Sequence, residues 1–284
     1  MPYDFSKQQD LLNTAVTLLH TKGIGPYAFG GGTALSAFYL KHRYSTDIDI
    51  FLYPDGSNDR LKRLRSDWDK TIEDAFSSIG YTGVVCAPGH YLEFTIDKES
   101  KIQFFDNNPF TKTPFISGMI WGHQINIESQ EEILAKKIFY RGDKGNARDI
   151  FDIAVSFRSD PSLICKLNRT QRLTDDKWAD LYTTLSHICE SQERFNAYLI
   201  DIDAMSPVKH FEDLSKHAPF YLRSIVETLI YLHTDINEED MEEISNVSYA
   251  EAPIEYYDLA GSGRKILEDT IEEIEPTSGL KSFI

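Results

Sequence analysis

The sequence predicts an α+β fold: a mixed sheet flanked by helices in residues 1–158, followed by a mainly helical domain in residues 159–284. Three observations carry that division. Extended and helical patterns alternate in the first half, beginning strand, glycine turn, helix, strand. From Pro161 onwards strand signals fade and apolar residues recur at helical spacing. Charge divides nearby: residues 1–175 hold 21 Lys and Arg against 22 Asp and Glu, and residues 176–284 hold 8 against 23, so the second stretch carries fifteen of the sixteen net negative charges.

Leu11, Leu12, Ala15, Leu18 and Leu19 fall on one side of a helix from Lys7 to His20, which Gly23 ends and Gly25-Pro26 separates from the first strand. Tyr27-Ala28-Phe29 reads as that short strand, running into glycines, Ala34 to Leu40 as a short apolar helix, and Asp47 to Leu52 as a strand alternating acidic and apolar residues. Leu61 to Ile79 has a helical pattern. Tyr81 to Cys86, Tyr91 to Ile96, Lys101 to Phe105 and Gln124 to Ile127 are extended, separated by Pro88-Gly89 and Asp106-Asn107-Asn108-Pro109. Ser129 stands three residues before Glu132, the capping-box spacing, and opens a helix through Tyr140; a second helix runs from Ala147 to Phe157. The later helices are Asp175 to Cys189, Gln192 to Ile200, Pro207 to Lys216, Phe220 to Leu232 and an amphipathic segment from Arg264 to Ile274. Glu238 to Glu243 is an acidic cluster, read as a solvated helix face.

Several function classes drop out. No run approaches the roughly 18 to 20 apolar residues of a membrane span, and the polar start MPYDFSKQQD has no signal-peptide hydrophobic region, so a cytoplasmic location is expected. Cys86, Cys165 and Cys189 are widely spaced without a CxxC, which argues against zinc or a disulfide scaffold and for buried thiols. A net charge of -16 disfavours general nucleic-acid binding, since phosphate contacts need local Lys and Arg; any RNA site must be local and on the N-terminal half.

Phosphoryl transfer from a triphosphate asks for a backbone cradle for phosphates and for carboxylates that hold Mg2+ between substrate oxygens. Gly30-Gly31-Gly32-Thr33 follows a strand and opens a helix, so its amide N–H groups can face an anion, with the Thr33 hydroxyl as a further donor. In Asp47-Ile48-Asp49 the period of two puts both carboxylates on one strand face, two oxygen ligands suited to Mg2+. Either feature alone is most often a plain turn or a solvated edge; their succession gives both a reason to be adjacent. His42, Arg43 and Ser45 add polar groups just before the strand, His42 read by itself as a surface residue.

The stretch GGTALSAFYLKHRYSTDIDIF resembles the first motif of the AbiEii/AbiGii toxin family of nucleotidyltransferases: a GG or GS turn, then HR, then S-x-D-h-D. ILAKKIFYRGDKGNARDIFDIA resembles that family's second signature, a Lys followed by Arg residues and an RD-x-x-D helix. The resemblance implies a nucleotidyltransferase fold in which Gly31, Gly32, Thr33 and Ser45 hold the triphosphate of an NTP substrate and Asp47 and Asp49 bind Mg2+. It further implies that Lys136 or Lys137, Lys137 fitting the spacing better, neutralises phosphate charge, and that Arg148 and Asp149 complete the site. Arg148 could equally brace a carboxylate, and Asp152, three residues after Asp149, shares its helical face.

Related nucleotidyltransferases place a third carboxylate on a later strand, where Lys101-Ile102-Gln103-Phe104 offers Gln103 instead, with Glu93 and Asp106 as nearby substitutes and Asp149 as another base. The resemblance implies an enzyme that moves a nucleotide from NTP to an acceptor, an RNA end such as that of tRNA, as the toxin-like member of a toxin–antitoxin or phage-defence pair. Protein nucleotidylation and a catalytically weak nucleotide-binding module are the alternatives. If the chain is a toxin, its acidic C-terminal part predicts a basic antitoxin partner, ordinary solubility being the bland account of the same charge.

Overall fold

The computed structural model describes residues 3–56, 60–66, 74, 77–80, 85–86, 91–232 and 246. The chain divides into two compact units, residues 1–133 and 134–284.

In the first unit, helix α1 (Ser6–Thr21) buries Leu11, Leu12, Ala15, Leu18 and Leu19, the stripe read from the sequence, and packs against strand β2. The strands are β1 (Tyr27–Gly30), β2 (Ile48–Leu52), β3 (Val85–Cys86), β4 (Tyr91–Thr95), β5 (Lys101–Asp106), β6 (Phe115–Ile120) and β7 (His123–Glu128). They form one mixed sheet in the order β3-β4-β5-β2-β1-β7-β6, with β2 parallel to β5, β1 parallel to β7 and the other pairs antiparallel. Period-2 alternation shapes its centre: Ile48, Ile50, Ile102 and Phe104 are fully buried, and Asp49 and Gln103 take the opposite face. Between β1 and β2 run helix α2 (Gly31–Ala34), its π-helical continuation Leu35–Leu40 and a left-handed Lys41 at φ 54°. Helix α3 (Arg60–Ser66) begins the segment read as helical over Leu61 to Ile79, most of the rest of which lies outside the described residues.

Strand β6 is not among the strands that the sequence pattern predicts. Its partner β7 comes after it across Trp121-Gly122, both at positive φ (49° and 83°), the backbone demanded by a two-residue hairpin turn whose twist matches the strands. Ser117 and Gly118 weaken the strand signal in FISGMI, and Trp at the first turn position hides the hairpin.

Helix α4 (Gln130–Arg141) contains the division between the units. Ser129 Oγ accepts from Glu132 N at 3.2 Å, as a capping box requires, but the Glu132 carboxylate turns instead to the backbone N–H groups of Phe110 and Thr111 (3.0 and 2.9 Å), clamping that loop.

The second unit continues with α5 (Ala147–Ser159), α6 (Ser162–Asn168), α7 (Asp175–Cys189), α8 (Gln192–Ala204) and α9 (Glu212–Leu232); α9 packs on α5 and α7, and α7 on α8. The mainly helical character expected beyond residue 158 holds throughout the described residues. Cys165 and Cys189 are buried free thiols, and burial pushes the Cys189 thiol up to about 12. Two helices expected over Pro207 to Lys216 and Phe220 to Leu232 are one, with Pro219 inside. Proline cannot donate to the carbonyl four residues back, that of Ser215. That carbonyl accepts from the buried Tyr198 hydroxyl at 2.6 Å, so the helix continues without an orphaned acceptor. The segments Arg264 to Ile274 and Glu238 to Glu243 lie outside the described residues.

Candidate active site

Gly30 ends β1 directly opposite Asp49 on β2, so the glycine turn starts beside that carboxylate. Gly31 has φ +68°, and a Cβ there would fall 2.9 Å from Asp49 Cγ and closer still to its oxygen. Only glycine meets both conditions. A Cβ on Gly32 would lie 2.5 Å from Arg43 Nη2, and one on Gly30 2.7 Å from Glu128 Cδ. The turn therefore passes between the Asp49 carboxylate and the Arg43 guanidinium with its backbone at close approach to both. Asp47 directly precedes β2 rather than lying in it; both aspartates are part-exposed, Asp49 between the buried Ile48 and Ile50 and Asp47 just before Ile48.

Thr33 is 1% exposed; its hydroxyl donates to the Asp47 carbonyl and lies 2.9 Å from the Ser45 hydroxyl. These bonds lock the start of α2 to the approach of β2, so the Thr33 side chain faces inward. His42 and Arg43, which the sequence offered as polar groups of the approach, are both buried, correcting the reading of His42 as a surface residue. Arg43 Nη1 donates to the Tyr44 carbonyl at 3.0 Å, and the Arg43 carbonyl accepts from Ser36 Oγ. The only signal for this in the sequence is the HR of the resemblance.

Asp49 on β2, Gln103 on β5 and Glu93 on β4 stand in register across three neighbouring strands. Gln103 Nε2 donates to Glu93 Oε2 at 2.7 Å, and Lys101 Nζ lies 3.3 Å from the same oxygen. Asp106, the other suggested substitute, is held by Arg60, whose Nε donates to it at 3.0 Å. Beneath the turn Glu128 is fully buried; its Oε1 accepts from Tyr53 at 2.8 Å and its carbonyl from Tyr39 at 2.8 Å. Burial, helped by the Glu128 charge, pushes the Tyr39 hydroxyl up to about 12 and Tyr53 higher, so both remain protonated donors. Nothing in the sequence pattern marks Glu128.

In the second unit Lys137 lies between two carboxylates: its ammonium bonds Asp149 and stands 3.0 Å from Asp152. All three side chains are at least nine-tenths buried, and Arg141 Nη1 reaches Asp149 Oδ2 at 3.5 Å. Asp152 thus shares the ion-pair network of Asp149. Asn146 caps α5 by accepting from Arg148 N at 3.0 Å, which fixes the turn that presents Asp149. Lys136 is buried; Arg148 is exposed and makes no ion pair among the described residues. Among those residues no group of three or more His, Cys, Asp or Glu has a metal-holding arrangement, and no helix is long and apolar enough to cross a membrane.

A family profile described as nucleotidyl transferase AbiEii toxin, type IV toxin–antitoxin system, matches residues 18–172, which include every residue named in these clusters. No curated protein matches the sequence. Among solved structures, the chain is similar to JHP933 from Helicobacter pylori, with 15% identity, a TM-score of 0.41 and coverage of 78% of this chain and 92% of that one. It is also similar to the antibiotic-resistance factor ANT(2'')-Ia, with 15% identity, a TM-score of 0.45 and coverage of 65% of this chain and 100% of that one.

Proposed function

The chain belongs to the AbiEii nucleotidyl transferase toxin family, and from that premise we propose that it moves a nucleotide from a Mg2+-bound nucleoside triphosphate to an RNA end such as the tRNA acceptor terminus. The observation that carries the chemistry is the glycine turn pressed against Asp49 with Asp47 two residues away. Two carboxylates fit Mg2+, which keeps several waters and takes its remaining ligands from phosphate oxygens, better than they fit zinc, which needs three or four protein ligands. When bound, the ion would neutralise phosphate charge and align substrate oxygens. Asp47 and Asp49 would hold it.

The chain's own part is positioning. Backbone N–H groups of Gly31 and Gly32 would approach the triphosphate where no side chain intervenes, while Thr33 and Ser45 hold the turn to the aspartates. The acceptor oxygen forms a bond to the α-phosphorus, the α–β phosphoanhydride bond breaks, and pyrophosphate leaves. Lys136, Lys137 and Arg148 are the cations assigned to phosphate charge, Arg148 being the exposed one. Glu93, paired in register with Gln103 and so aligned with Asp49 across three strands, is the better-placed substitute for the absent third carboxylate; Asp149 is the other candidate base. We take residues 1–158 as the catalytic part and residues 159–284 as a helical accessory domain. As the toxin of a pair, the chain would meet a basic antitoxin through its acidic C-terminal part in the cytoplasm.

Gln103 supports a second reading, a weakly active nucleotide-binding module, since a neutral amide is a poor Mg2+ ligand and base. Incubation with each labelled NTP, total RNA or total protein, and Mg2+ or EDTA separates the two. We expect label on RNA, lost with EDTA and in Asp49→Asn and Asp47→Asn proteins that fold normally. Label on protein alone would reject the RNA acceptor, and transfer by the double variant would reject the site.

A further inference from the structure

The last turn of α4 carries a cluster that none of the catalytic assignments uses. Tyr140 is 56% exposed and meets Phe139 edge to face, with ring centroids 4.9 Å apart. Over the Phe139 ring lie Arg172, at 5.8 Å from its centroid, and Lys177, at 5.2 Å. The next residue, Arg141, is half-exposed and reaches the Asp149 carboxylate, so the cluster adjoins a candidate catalytic group. Local charge agrees: residues 134–180, which include Asp180 beside Lys177, contain ten Lys and Arg against seven Asp and Glu, a net positive stretch in a chain of net charge -16.

We propose that Tyr140, Phe139, Arg172 and Lys177 form the surface on which the acceptor's single-stranded RNA 3′ end is held. This rests on the RNA-acceptor reading and deepens it. Every base has a π-face, so an exposed aromatic ring takes a terminal nucleotide without demanding a sequence. Arg172, set over the Phe139 ring, is already ordered there, which reduces what must be fixed when it meets a phosphate; Lys177 also pairs with Asp180 at 3.1 Å. Charge complementarity favours a polyanion over a protein at this place.

The test measures binding and transfer separately, using the full-length chain and a fluorescent single-stranded RNA with a free 3′ hydroxyl. Tyr140→Ala should weaken binding about tenfold while melting like the parent, and Tyr140→Trp should restore it, as expected for the loss and recovery of one stacked base. Arg172→Glu should weaken binding and flatten its dependence on log salt by about 0.7 for each phosphate it no longer neutralises. If the parent labels RNA while both variants bind it as the parent does, this surface is wrong and the proposed function stands. If the parent binds RNA through Tyr140 but labels only protein, the surface stands and the acceptor reading falls. A parent that does not bind single-stranded RNA overturns the inference.

Discussion

Replacing Lys137 by Met should destabilise the helical unit as well as test a role in catalysis. The ammonium is the shared counter-charge of Asp149, 4% exposed, and Asp152, fully buried. Removing one partner of such a buried network leaves charge uncompensated in a low-dielectric interior, at a cost of about 3–5 kcal/mol. Against a total stability of about 5–15 kcal/mol that is a large fraction. For a domain of this size each kcal/mol lowers Tm by about 2–4 °C, so Lys137→Met should melt about 6–20 °C below the parent. Arg141 faces Asp149 at 3.5 Å as well. Adding either Asp149→Asn or Asp152→Asn to Lys137→Met should therefore recover part of the lost stability. Circular-dichroism melts of the parent, the single variant and the two double variants, at equal concentration and ionic strength, give the comparison. A Tm within about 2 °C of the parent for Lys137→Met would refute the buried triad. Transfer kinetics measured below the lowered Tm then isolate the phosphate role: a rise in the NTP KM with an unchanged acceptor KM supports it, and equal changes in both point to a brace alone.

Three other outcomes rest on individual side chains. Gly31→Ala forces a Cβ onto a backbone at φ +68° and into the Asp49 carboxylate, so transfer should be lost while far-UV circular dichroism is kept; full activity would show that the turn does not press on Asp49. Tyr198→Phe removes the donor to the Ser215 carbonyl that Pro219 leaves free, and should cost about 1–3 kcal/mol by urea titration, whereas Tyr198→Phe in a Pro219→Ala background should cost less. Burial holds His217 below its ordinary value of 6.5, so the unfolded chain binds a proton that the folded chain does not; stability should fall as pH drops below about 6.5, and His217→Gln should flatten that slope.

Periodicity is sufficient wherever one face of an element is buried. The α1 stripe, the alternation in β2 and β5, and the bounds of α7 are all plain in the sequence because water and core impose opposite chemistry on neighbouring positions. It fails where a tertiary contact supplies what local chemistry lacks. Pro219 is a sound reason to end a helix, and only a hydroxyl from α8, seventeen residues before Ser215, makes it tolerable. The β6–β7 hairpin escapes for a related reason, since Trp121 adopts a positive φ that its own side chain disfavours and the sheet imposes.

The candidate site divides along the same line between residue type and residue partner. Two aspartates at a spacing of two and a run of glycines are visible because the chemistry restricts which residues can serve. Where each polar group spends its hydrogen bonds is not visible. Thr33 looks like a phosphate donor in sequence, and in the structure its hydroxyl bonds the Asp47 carbonyl, tying the turn to the aspartate pair, which the sequence does not show. Arg43 looks like an incidental neighbour of the motif, yet it is buried against the Gly32 backbone, and the glycine is required partly because the arginine is there. The motif is thus a set of mutual exclusions: Gly31 makes room for Asp49, Gly32 for Arg43 and Gly30 for Glu128. A single sequence records the small residues of such an arrangement and gives no hint of which large side chain each was kept small to admit.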